Sequence, residues 1–261
     1  DKEKFAGALH TYTIEAFMPD GKAIQCGTSH NLGHGFAKAF GISFIGKDEE
    51  KHLPCQNSWG LSTRLIGAAV MAHSDDKGLV LPPNVAENKV VIIPILFEKT
   101  KDKVLKKAEE IEKSLKKFSP ILNDSEEYTP GWKYSEYELK GIPLRIEIGP
   151  KDLEKDQAVV VRRDNNKKMN VKIKNLEKEI SSMLDDMQKE MYEKASRELK
   201  SKIVETKNWK ELEKAIKEKK IVKTNWCSTG ECEDEIKEKT NGATSRCIPL
   251  DSKKVSGKCP Y

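Results

Sequence analysis

The chain has 261 residues, 37% of them apolar and 34% charged, which excludes a disordered or fibrous chain and leaves room for more than one packed core. Its 47 basic and 42 acidic side chains give a net charge of +5, compatible with a polyanionic partner but too mild to imply one. No apolar run reaches the roughly 18 residues that a membrane span needs, no signal-peptide pattern opens the sequence, and six cysteines in a Lys/Glu-rich chain fit the reduced thiols of a cytoplasmic protein better than disulfides.

Three textures follow one another along the chain. Residues 1–83 are the least charged and hold all five histidines. Leu9–Phe17 and Gly21–His30 predict two strands joined by a Met-Pro-Asp-Gly turn. Thr11, Thr13 and Glu15 alternate with Tyr12, Ile14 and Ala16, so one face is polar and the other apolar. Residues 34–44 predict a short helix stopped by Gly41. An extended stretch then reaches Arg64, and Leu65–His73, apolar nearly all round, predicts a helix buried against a sheet. Asp75-Asp76-Lys77-Gly78 and Pro82-Pro83 close the segment.

Residues 84–175 differ in style. Lys89–Phe97 is a continuous apolar run, as in a strand buried on both faces. In the helix predicted over Lys101–Phe118, Val104, Leu105, Ala108, Ile111, Leu115 and Phe118 form one stripe. Ile142–Gly149 and Gln157–Asp164 return as strands, and the order strand, helix, strand, strand predicts a small α/β domain with a mixed sheet. Read locally, Arg145 and Glu147 are a cross-strand charge pattern and Lys167-Lys168 a solvated basic patch. From residue 176 the chain is mostly helical and ends in a cysteine-bearing tail.

The chemistry concentrates in three places. Arg64 carries a permanently charged planar fork at the mouth of a helix; it suits a phosphate, or else a carboxylate inside the fold. Gly60 and Gly67 would let a flat group approach the backbone closely. Gln25-Cys26-Gly27-Thr28-Ser29-His30 puts an amide, two hydroxyls and an imidazole in six residues. Such groups are costly in a buried strand without partners, which points to a small-ligand pocket. Regular alternation turns Gln25, Gly27 and Ser29 one way and Cys26, Thr28 and His30 the other, unless a bulge interrupts. Cys227, Cys232, Cys247 and Cys259 lie in a small polar segment, where four thiols suit a structural zinc site or remain free. Cys26 and Cys55 read as buried or pocket-edge thiols.

The segments EKFAGA, YTIEA, GKAIQCGTSHNLG, FAKAF, QNSWGLSTRLIGA and DDKGLVLPP, taken in order, resemble the second half of the catalytic domain of prolyl-tRNA synthetases of the archaeal and eukaryotic-like type. GLSTRLIGA is similar to motif 3 of class II aminoacyl-tRNA synthetases. TPGWKYSEYELKGIPLRIEIGPKDLE resembles the family's tRNA-reading domain and the cysteine tail its C-terminal domain. The resemblance implies an α+β and α/β multidomain chain. Residues 1–83 would be the C-terminal part of an antiparallel-sheet class II catalytic domain, 84–175 an α/β anticodon-binding domain, and 176–261 a C-terminal helical, zinc-type α/β domain.

It also implies ATP-dependent activation of proline to prolyl-adenylate and its transfer to tRNA(Pro), with ATP and Mg2+ as substrate, a homodimer in the full-length enzyme, and no DNA or membrane partner. Arg64 and His30 would be the catalytic pair; Gln25, Thr28 and Arg64 would serve ATP; Phe5, His30, Ser58, Trp59 and Gly60 would shape the proline pocket. Glu138, Arg145 and Lys151 would contact anticodon guanines. Zinc would be held by Cys227, Cys232 and Cys259, with a fourth cysteine just past Tyr261 or Cys247 as a substitute. Motifs 1 and 2 do not precede the match, so the expectation is a piece of a longer enzyme, inactive alone. A non-catalytic tRNA-binding or regulatory relative, or a sister class II synthetase, are the competing readings.

Overall fold

In the computed structural model, which describes residues 4–252 and 257–261, β1 (His10–Phe17) and β2 (Ala23–Gly33) form the predicted antiparallel hairpin. Its turn is closed by the Gly21 N–H on Met18 O at 3.0 Å, with Gly21 at φ +90°, a region open to glycine. The helix expected over 34–44 is shorter, α1 (Gly35–Ala39), and Gly41 follows it at φ +66°. A small ribbon of β3 (Phe44–Ile45) and β4 (Lys51–His52) leads to β5 (Gln56–Leu61), which pairs antiparallel with β2. The sheet order is β1-β2-β5.

The chain divides into two compact units, one of residues 1–68 and 197–261 and one of residues 69–196. The first division falls inside α2 (Arg64–His73). Its sequence predicts burial all round, but of its residues only Ala68 is buried, in a small cluster with Met18 and Cys26 supported by Ala16 and Ile24. Ile66, Val70 and Met71 are exposed. An all-apolar helix sequence reports what the helix can bury, not what covers it.

In the second unit β6 (Val90–Pro94) is buried at every position, which is why its sequence is a run rather than an alternation. α3 (Lys101–Ser114) ends four residues before the predicted Phe118. A tight 3-10 turn over Lys116–Phe118 and Ser119 at φ +50° replace its last turn. Then come β7 (Ile121–Leu122), α4 (Pro130–Leu139), β8 (Leu144–Ile148), α5 (Pro150–Glu154), β9 (Gln157–Arg162), β10 (Lys168–Lys172) and α6 (Leu176–Lys202). α4 starts where Thr129 caps the Trp132 N–H and Pro130 occupies the first turn.

The five strands form the expected mixed sheet, order β10-β9-β8-β6-β7. β6 is parallel to β7 and β8, while β8, β9 and β10 pair antiparallel. One face packs Val90, Ile92, Leu144 and Ile146 against Val104, Ala108 and Ile111 of α3 and Leu176 and Ile180 of α6. The other packs Val91 and Ile93 against Tyr137 of α4. The basic patch at Lys167-Lys168 turns into the edge strand β10, with Lys168 exposed; a charged edge of this kind discourages further strand pairing.

Back in the first unit, β11 (Ile203–Glu205) and β12 (Ile221–Lys223) make a parallel pair joined by α7 (Trp209–Lys217), and α8 (Gly230–Lys239) follows. The tail thus has the α/β character expected of it. Among the described residues, no helix is long and apolar enough to cross a membrane.

Candidate functional site

The first candidate site lies on β1-β2-β5, and a bulge builds it. Ile14 pairs with Gly27 but Glu15 pairs with Gln25, so Cys26 is an extra residue in β2. Directly paired residues share a face. Thr11 faces His30, Thr13 faces Thr28 and Glu15 faces Gln25; across β5, Thr28 faces Gly60 and His30 faces Ser58. The bulge therefore brings Gln25 to the polar face with Thr28, His30, Ser58 and Gly60, where strict alternation would separate it. Cys26 instead packs with Met18 and Ala68.

His30 is the buried member. Its Nδ1 is 3.0 Å from Thr11 Oγ1, which also accepts the Phe5 N–H at 3.3 Å. A hydroxyl so placed can donate its proton to Nδ1, which suits the Nε2–H tautomer. The Phe5 ring lies 4.7 Å from the imidazole, so Phe5 and His30 do meet. Trp59 does not join them. It pairs with Ser29, shares the opposite face with Tyr12, Ile14 and Leu61, and is 78% exposed.

At the far end of the polar face, Arg64 Nη1 donates to the Gln25 carbonyl oxygen at 3.2 Å. A cavity of about 660 Å³ is lined by Ala23, Ile24, Gln25, Arg64 and Arg246. Arg246 grips Glu15 with two hydrogen bonds, Nε to Oε2 at 2.9 Å and Nη2 to Oε1 at 2.8 Å. Two guanidinium groups at one cavity suit an anion. Sequence reasoning missed Arg246, because nothing local ties it to a strand 231 residues earlier.

The second candidate site is a row of alternating charge in the other unit. Arg145 is its centre, with a side chain 10% exposed. Its Nε donates to Glu147 Oε1 at 3.0 Å, its Nη1 donates to Glu138 Oε1 at 3.0 Å, and its guanidinium lies 4.2 Å from the Tyr134 ring centre. Lys77 reaches Glu138 Oε2 at 3.5 Å and Lys168 reaches Glu147 Oε2 at 3.9 Å. Burial by itself would raise the Glu138 carboxyl, but the Arg145 hydrogen bond and the charges of Lys77 and Arg145 outweigh it and hold the group below the usual glutamate range. Burial, reinforced by the charge of Glu147, pushes the Tyr134 hydroxyl up to about 12.

Glu138 and Arg145 are thus brought together, whereas Lys151 is exposed on α5 outside the row. The row rests on a clamp that the sequence did not announce. Arg163 donates through Nη1 and Nη2 to Asp75 at 2.8 and 2.6 Å, and through Nε to the Glu138 carbonyl oxygen at 2.9 Å. This holds the Asp75 carboxyl down at about 2.

The third is the cysteine group. The Sγ atoms of Cys227, Cys232 and Cys259 all lie within 4.8 Å of one another, and those of Cys232 and Cys259 are 3.6 Å apart. Four thiolates at a Zn–S distance of about 2.3 Å sit roughly 3.8 Å from one another in a tetrahedron, so these donors fit zinc. A hydrogen bond with the Thr229 hydroxyl brings the Cys227 thiol down to about 7, and burial pushes Cys232 up to about 12. Cys247 is exposed and outside the group.

Residues 89–183 match the family described as anticodon binding domain, and residues 209–261 match prolyl-tRNA synthetase, C-terminal. The first match contains Glu138, Arg145 and Arg163, the second the three clustered cysteines. Curated relatives named proline–tRNA ligase include those of Ruminiclostridium cellulolyticum, 51% identical over 261 residues, and Lachnoclostridium phytofermentans, 50% over 260. That of Natranaerobius thermophilus is 45% identical over 261 residues. Each alignment covers 99% of this chain and 54% of the relative, so the chain spans about half the length of the curated relatives it matches.

Proposed function

Since the chain belongs to the prolyl-tRNA synthetase family, we propose that it serves proline–tRNA ligation in the cytoplasm, through the archaeal and eukaryotic-like form of a homodimeric class II enzyme. Residues 1–83 are then the motif 3 part of the catalytic domain, 84–175 the anticodon-binding domain and 176–261 the C-terminal domain. The observation that carries the reading is Arg145, held over the Tyr134 ring between two carboxylates. A fixed guanidinium is suited to the O6 and N7 acceptors of guanine, and an ionised Glu138 to its N1 and N2 donors.

On the catalytic side, a proline carboxylate oxygen attacks the α-phosphorus of Mg2+-bound ATP and pyrophosphate leaves. A ribose hydroxyl of the tRNA terminus then attacks the prolyl carbonyl and AMP leaves. No covalent enzyme intermediate is needed, so positioning and charge neutralisation supply the rate. Arg64 neutralises phosphate charge, Gln25 and Thr28 orient the nucleotide from the polar face, and His30, steadied by Thr11, floors a proline pocket with Phe5, Ser58 and Gly60. Trp59, on the sheet's other face, is kept as a proline contact only on the strength of the resemblance. Lys151 is kept as an anticodon contact on the strength of the resemblance.

Zinc held by Cys227, Cys232 and Cys259 supplies a structural cross-link. Metal analysis of the purified chain checks this: close to one zinc per chain is expected, and its absence would remove zinc from the reading. The relatives' names favour proline over a sister amino acid. The functional test is binding of tRNA(Pro) against the same tRNA with its anticodon guanines replaced. A loss of about 10- to 100-fold is expected. Equal, salt-sensitive binding of both would reduce residues 84–175 to a generic basic surface.

A further inference from the structure

The two oxygens of Glu138 are not equivalent. Oε1 accepts from Arg145, which is itself tied to Glu147 and lies over the Tyr134 ring. Among the described residues, Oε2 faces only a loose partner, Lys77 Nζ at 3.5 Å, longer than a direct hydrogen bond and carried on a side chain 54% exposed. The backbone beneath Lys77 is anything but loose. Arg163 grips Asp75 on one side, the Leu79 N–H donates to the Leu139 oxygen at 3.0 Å on the other, and a Cβ on Gly78 would come within 2.5 Å of Leu139 Cα. The loop is bolted to the end of α4 while its ammonium can swing.

We propose that Lys77 is a further RNA-binding residue of the anticodon reader: its ammonium rests on Glu138 Oε2 until a guanine edge takes that oxygen, and then contacts an anticodon phosphate. The inference rests on the anticodon reading of Glu138 and Arg145. A carboxylate accepts from guanine N1 and N2 most strongly when ionised, and the neighbouring ammonium favours that state. Once displaced, the ammonium is a compact, mobile point charge beside a polyanion. That chemistry fits a phosphate and contrasts with the rigid fork of Arg145, which fits a base edge.

The test is the salt dependence of binding between the 261-residue chain and an anticodon stem-loop of tRNA(Pro), alongside the stem-loop with its guanines replaced. Wild type, Lys77→Ala and Lys77→Arg are compared. Losing one phosphate contact lowers the slope of log K against log salt by about 0.7 on single-stranded RNA. On the guanine-bearing stem-loop Lys77→Ala should show that smaller slope and bind on the order of threefold to tenfold more weakly at low salt, while binding of the guanine-replaced stem-loop, which leaves Lys77 on Glu138, and the melting temperature stay unchanged. Lys77→Arg should restore the slope. A wild-type slope in Lys77→Ala overturns the proposal even if the guanine preference stands. If wild type shows no guanine preference, the anticodon reading falls first and this inference with it.

Discussion

Replacing Asp75 by alanine is expected to destabilise the unit of residues 69–196 by about 3 kcal/mol, the low end of the range for stripping one partner from a buried ion pair. Arg163 is the buried member, with its side chain 2% exposed, and without Asp75 its charge loses a two-pronged partner. The Asp75 side chain is 44% exposed, so water reaches the gap and the loss stays below the upper end. A melt followed by circular dichroism should move down by about 10 °C, with Asp75→Asn in between. A shift within error would mean that the clamp contributes no stability.

The same pair sets an acid limit. The Asp75 carboxyl titrates at about 2 in the folded chain and near 3.9 when unfolded. A depressed folded value means stability that is complete above about pH 4 and is lost as pH falls from there through about 2. Asp75→Asn should flatten that part of the stability–pH curve.

The second large effect is on recognition. Arg145→Lys should erase most of the guanine preference proposed for this row, a loss of about 10- to 100-fold in discrimination. Lysine keeps the charge near Glu138 and Glu147 but has no planar fork with which to present two parallel donors. The melting curve separates recognition from collapse. Glu138→Gln, nearly isosteric, should weaken the same preference from the other side. Preference retained within about twofold in both variants would move guanine reading elsewhere.

Much of the second unit could be read from the chain because its signals are local. Val90–Pro94 is a buried central strand and looks like one. The stripe from Val104 to Ile111 is a helix face and packs as one. The three cysteines announce themselves by chemistry rather than position. What stayed hidden depends on partners distant in sequence. Asp75 and Arg163 are 88 residues apart, and neither residue differs in type from a solvated charge. Arg145 and Glu147, two residues apart on one strand, look like surface alternation, yet both are buried. The three-residue strands β11 and β12 are too short to carry a period. α2 misleads in the other direction, since an apolar helix need not be buried and here only Ala68 is.

The bulge at Cys26 reaches furthest. Because β2 holds one residue more than its partner requires, deleting one codon there would leave both strands able to pair along their whole length, with a regular ladder. The hairpin would survive with Gln25 still opposite Glu15, on the face of Thr28 and His30, and the loss would be the Cys26 side chain packed with Met18 and Ala68. In an alignment of sequences, a one-residue gap at this point would look like the mildest of changes. It would instead remove a side chain that ties the hairpin to the helix carrying Arg64.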